Sequence, residues 1–101
     1  MPYADPLTDD QIATALDSLD GWARQDDAIR RTVDTAGFGA ALALVNAVAE
    51  AAEAADHHPD ICITGYRRVT LTLTTHATRA ITRRDVELAA EIDRLVKRAG
   101  G

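Results

Sequence analysis

An alanine-rich run from Phe38 to Asp56 stops just ahead of Pro59, and this stop does most to constrain the fold. Leu42, Val45, Val48, Ala49 and Ala52 recur at three- and four-residue intervals, which predicts a helix with those residues on its core face. Alanine gives the segment the highest helix propensity in the chain, and Glu50 and Glu53 fall on its polar side. Pro59 disfavours helical backbone at His58, so the helix has to end there. The periodicity then changes from helical to alternating. Val69, Leu71 and Leu73 point one way, and Thr70, Thr72, Thr74 and His76 the other. With Asp60–Ile63 before it and a turn within 64–68, this run predicts a hairpin directly after the helix.

The flanking segments repeat this order. Thr8 and Gln11 have the spacing of a capping box, Asp9 and Asp10 suit a helix N-terminus, and Ile12, Leu16 and Leu19 share a face. A first helix over Thr8–Leu19 follows, with Gly21 as its stop. Trp22–Gln25 and Ala28–Val33 flank Asp26-Asp27 and read as a first hairpin, with Ile29 and Val33 inward and Arg30 and Thr32 outward. Thr82 and Asp85 open a last helix running to about Arg98, with Leu88, Ile92, Leu95 and Ala99 on one face. The order is helix–hairpin–helix–hairpin–helix. The predicted fold is α+β: a four-stranded antiparallel sheet with helices packed on one face, in a single domain over 1–101.

Composition narrows the partners. Sixteen acidic against eleven basic residues give a net charge of −5, which argues against direct nucleic-acid binding. The lone Cys62 has no internal disulfide partner, which favours a reducing, cytoplasmic setting. Met1–Asp5 contains no basic segment leading into an apolar core, so no secretory signal is expected. No uninterrupted apolar run approaches the roughly 18 residues of a membrane span, so no membrane association is expected.

The chain has only three histidines: His57 and His58 at the end of the long helix, and His76 at the end of the alternating run. The second hairpin brings them towards each other. With its turn centred between Arg67 and Arg68, position 76 lies opposite position 59, beside His58. With the turn centred near Gly65, His76 runs past the strand and faces the helix end. Imidazole gives and takes protons near neutral pH, so a cluster of three points to acid–base chemistry. Three histidines are also a zinc-ligand number, but an adjacent pair lacks the usual chelating spacing. No nucleophile motif or glycine-rich phosphate loop is present.

Each residue also has a plainer explanation. A helix C-terminus favours a cation such as protonated His57 or His58. An acid at Asp85 belongs in a capping box whatever the function. Glu53, four residues before His57, is placed to orient that imidazole or to be an ordinary helix-surface acid. Cys62 alternates with Ile61 and Ile63, which would turn it towards the site side of the sheet.

These residues resemble the pterin-4a-carbinolamine dehydratase family. The matching pattern is Glu53, three residues, His57-His58-Pro59, Tyr66, Thr75-His76 and Asp85, and the order of elements matches over almost the whole chain. The resemblance implies dehydration of a 4a-hydroxytetrahydropterin to the quinonoid dihydropterin, in recycling of the pterin cofactor of aromatic amino-acid hydroxylases. It implies His57, His58 and His76 as pterin-binding acid and base residues, supported by Glu53, Pro59, Asp60, Thr75 and Asp85. It further implies a homodimer or homotetramer and a reaction needing neither metal nor added cofactor. Two departures stand out. Six residues, Asp60 to Gly65, separate Pro59 from Tyr66, one more than the family pattern, and Ala77–Ala80 replaces a glycine-rich loop. The alternative expectation is a non-catalytic interaction module on the same scaffold, acting in dimerisation or assembly.

Overall fold

The computed structural model describes residues 5–99. Helix α1 spans Asp9–Asp17, and both bonds of its capping box form: Gln11 N donates to Thr8 Oγ1, and Thr8 N to Gln11 Oε1. It stops before Leu19, with Ser18 as its C-cap. Ile12 is buried, while Leu16 and Leu19 pack at the core margin.

Strands β1 (Ala23–Gln25) and β2 (Ala28–Asp34) form the first hairpin, and β3 (Asp60–Thr64) and β4 (Arg68–Leu73) the second. The two hairpins join in one antiparallel sheet of order β1-β2-β4-β3. Ile29, Val33, Val69, Leu71 and Leu73 lie on the buried face, as the alternation requires. Truncating Leu71 or Leu73, both fully enclosed, to alanine costs roughly 2–5 kcal/mol. Cys62, directly opposite Thr70, is exposed on the threonine-bearing face of the sheet, as its alternation with Ile61 and Ile63 predicts.

Helices α2 (Phe38–Ala55) and α3 (Arg83–Arg98) cover the apolar face, completing the α+β fold. The core side of α2 is Ala41, Leu44, Val48 and Ala52. The expected stripe is therefore rotated: Leu42 and Ala49 are exposed and Val45 is half-buried. Alanine, leucine and valine occur all round this helix, so periodicity alone does not select its inward face. By length and composition α2 would also pass for a membrane span, but it carries Glu50 and Glu53 and packs one side against the core. On α3 the inward face is Asp85, Leu88, Ala89, Ile92, Asp93 and Val96, whereas Ala99 is exposed beyond the helix end.

One inward position of β2 is a cation. Arg31 shares the register of Leu71 on the core face, and its Nη1 reaches Asp93 Oδ1 at 2.5 Å. Trp22 Nε1 donates to the same oxygen at 2.7 Å, and Asp20 N donates to Oδ2 at 2.9 Å. Asp93 thus ties the α1–β1 connection and β2 to α3, satisfying a charge that would otherwise be costly at the edge of the core.

Candidate functional site

The end of α2 decides where His57 goes. Ala55 is the last helical residue, and Asp56 adopts the left-handed conformation at φ 50° and ψ 44°. His57 N bonds Ala52 O at 3.1 Å and Asp56 N bonds Glu53 O at 3.2 Å, the paired bonds of a Schellman ending. The last helical residue thus lies three positions before His58, the residue whose backbone Pro59 restricts. Arg84 Nη2 donates to the Asp56 carbonyl at 2.5 Å, fixing this turn to the start of α3.

The reversal sends His57 into the protein. Only 7% of it is exposed, and its Nε2 lies 2.5 Å from Oδ1 of Asp85, which is wholly buried. The expected Glu53–His57 pairing does not form. Asp56 breaks the helical spacing, and the Glu53 carboxylate instead lies 3.6 Å from His58 Nε2, with both side chains more than half exposed.

Asp85 joins the capping and site roles that seemed to be alternatives. Its Oδ2 accepts from Thr82 N at 2.9 Å, completing the capping box of α3, and from Thr75 Oγ1 at 2.9 Å. Thr75 and Thr82 are buried with their hydroxyl oxygens 2.8 Å apart.

The hairpin register lies between the two anticipated from the sequence. Asp60 pairs with Thr72 and Thr64 with Arg68, so the turn is centred on Tyr66. Gly65 and Tyr66 both have positive φ, at 55° and 56°. Pairing is unbroken from Asp60 to Thr64, so the additional residue is accommodated in the turn rather than as a strand bulge. Continued beyond the sheet, this register sets His57 opposite Thr75 and His76 past His58. Strand β4 itself ends at Leu73, and His76 projects from a loop closed by the Thr75–Ala80 backbone pair.

His57, His58 and His76 nevertheless line one cleft of roughly 340 Å³, together with Pro59, Asp60, Thr75 and Arg84. This is within the range of small-ligand pockets. Glu53 is outside that lining, and Tyr66 stands exposed at the far tip of the hairpin. Among the described residues, no group of three or more His, Cys, Asp or Glu side chains is arranged to hold a metal ion. Thr82 is legible in the sequence as a helix cap, but neither it nor Arg84 is legible there as part of the site. The only local signal for either was its place in the first turn or cap of α3, which a purely structural role explains equally well.

The result is an α+β protein with imidazoles of contrasting environment on one cleft, one backed by a buried carboxylate and two open to solvent. Comparison with known proteins gives this class a lineage. A profile described as "Pterin 4 alpha carbinolamine dehydratase" matches residues 5–95. A Nocardia farcinica protein provisionally named as a pterin-4-alpha-carbinolamine dehydratase is 55% identical over 91 residues, covering 90% of this chain and 95% of its own. A similarly named protein of Koribacter versatilis is 48% identical over 89 residues, covering 88% and 94%. The crystal structure of a transcriptional coactivator/pterin dehydratase from Brucella melitensis superposes with a TM-score of 0.85 at 33% identity, covering 90% of this chain and 98% of that one. A pterin dehydratase-like RuBisCO assembly factor of the alpha-carboxysome shares the fold at a TM-score of 0.60 and 20% identity, over 73% of this chain and 84% of that one. The chain belongs to the pterin-4a-carbinolamine dehydratase family.

Proposed function

We propose that this protein dehydrates a 4a-hydroxytetrahydropterin to the quinonoid dihydropterin, in tetrahydropterin recycling. The observation that carries the reading is the convergence of His57, His58 and His76 on one cleft, with His57 held by buried Asp85. Family membership supplies the substrate class. In the reaction the C4a–oxygen bond breaks as an acid delivers a proton to the departing hydroxyl. The electron pair of the adjacent ring nitrogen forms the C=N bond, and that nitrogen's proton passes to a base. Water leaves, and one proton given is matched by one proton taken. Imidazoles near their neutral range suit both roles, and the scheme needs no metal or added cofactor. Pro59, Asp60, Thr75 and Asp85 shape or support the cleft, and Glu53 acts only through His58.

The chain is proposed to work in the cytoplasm as a single-domain subunit of a homodimer or homotetramer, without binding nucleic acid or membrane. Phe38 and Leu42 are 55% and 41% exposed, and with Ala49 they leave an apolar side of α2 uncovered in the single chain. A second copy presenting the same surface would cover it. The same surface favours the second reading, a non-catalytic module that docks a different protein. The test is the decay of synthetic 4a-hydroxytetrahydropterin with and without purified protein. Acceleration supports the dehydratase. An unchanged decay rate, with one protein partner recovered in a pull-down, favours the module.

A further inference from the structure

Proton counting along the buried chain behind His57 assigns a role to a residue that otherwise looks like a simple helix cap. The Asp85 carboxylate only accepts hydrogen bonds. The Thr75 hydroxyl, 2.9 Å from Asp85 Oδ2, must therefore spend its one proton on that oxygen. The 2.8 Å contact between Thr75 and Thr82 then has a single possible direction, with Thr82 donating and Thr75 accepting. Thr82 Oγ1 in turn accepts from Arg84 N at 3.2 Å, so its oxygen caps α3 while its proton enters the chain. All the buried side-chain polar atoms among the described residues have partners, those of Thr75, Thr82 and Asp85 included.

We infer that Thr82 is a positioning residue. Through Thr75 and Asp85 it holds His57 with its proton on Nε2, leaving Nδ1 as the nitrogen that exchanges a proton with a ligand in the cleft. Asp85 Oδ2 is saturated by Thr75 and Thr82 N, so Oδ1 is left to take the His57 Nε2 proton at 2.5 Å. A carboxylate behind an imidazole selects one tautomer and fixes the orientation of the ring. The tautomer assignment rests on this geometry alone. Its catalytic consequence rests on the dehydratase reading.

The experiment is long-range proton–nitrogen correlation on ¹⁵N-labelled protein without ligand, at a pH where His57 is neutral. It is combined with dehydration kinetics of wild type, Thr82→Val, Thr82→Ser and Thr75→Val. Wild-type His57 is expected to give a protonated Nε2 and an unprotonated Nδ1. Thr82→Val and Thr75→Val are expected to give mixed tautomers and to lower kcat roughly tenfold or more, with KM changed by less than about twofold. Thr82→Ser, which keeps the hydroxyl, is expected to restore both readouts. Thr75→Val leaves the α3 cap in place, so it decides the matter if Thr82→Val does not fold. A protonated Nδ1 in wild type overturns the inference, as does a folded Thr75→Val protein with the wild-type tautomer and kcat. If wild type has the expected tautomer but no activity on the pterin, the positioning inference stands and the dehydratase reading falls.

Discussion

His57 and Asp85 are 28 positions apart in the chain, yet His57 Nε2 and Asp85 Oδ1 meet at 2.5 Å in the protein interior. Two local devices create this contact: the left-handed Asp56 that ends α2 and the capping box that begins α3. Replacing Asp85 with alanine leaves the Thr82 amide, the Thr75 hydroxyl and the His57 imidazole without their acceptor. The expected cost is about 3 kcal/mol of stability, read from urea unfolding, and a fall in kcat of at least about tenfold in the protein that remains folded. Unchanged stability and turnover would contradict the arrangement described.

Asp93 anchors the fold away from the cleft. Asp93→Ala strands Arg31 and removes the acceptor of the Trp22 indole. The expected loss is about 3 kcal/mol in denaturant unfolding, with altered Trp22 fluorescence and unchanged kcat per folded molecule. Loss of turnover without loss of stability would place Asp93 in the site instead.

The cross-strand pair Asp34–Arg68, at 2.9 Å, supplies a pH dependence of known sign. The hydrogen bond from Arg68 is the main cause holding the Asp34 carboxyl below its ordinary value, and the same bond raises Arg68. As pH falls, the unfolded chain takes up this proton before the folded one does. The pair's contribution is therefore complete above the unfolded carboxylate's range and is lost as pH drops through the lower, folded value. The pair is exposed, so its effect on stability is small. Carbon-detected NMR titration should show the Asp34 midpoint rising in Arg68→Ala. An unmoved midpoint would rule the pair out.

The uncovered side of α2 makes a prediction about assembly. Leu42→Glu places a charge in the proposed contact between copies without entering the core, since Leu42 is 41% exposed. Light scattering should move from a multiple of the 10.8 kDa chain mass towards the single chain, with helix content retained. A wild-type protein already at the single-chain mass would remove the basis for this expectation.

What the sequence made legible was mostly local. Thr8 with Gln11 and Thr82 with Asp85 announce two helix starts, and the Val69–Leu71–Leu73 alternation announces the inward face of β4. The partner of His57 was not legible. Helical spacing offers Glu53, and nothing in the residue order marks Asp56 as left-handed. The inward face of α2 was hidden by its alanines and leucines. Arg31 has the parity of Ile29 and Val33, but a half-buried arginine on the core face is intelligible only once Asp93 stands opposite. The three histidines could be grouped by their hairpin, whereas their unequal environments needed the tertiary structure.

The central claim is that the histidine cleft carries out pterin dehydration. Its most direct test compares the decay of synthetic 4a-hydroxytetrahydropterin in the presence of wild type and of a folded His57→Ala, His58→Ala double variant. The account predicts acceleration by wild type and a loss of at least about a hundredfold of that acceleration in the variant. Equal acceleration by the two proteins, or none by wild type, would contradict it.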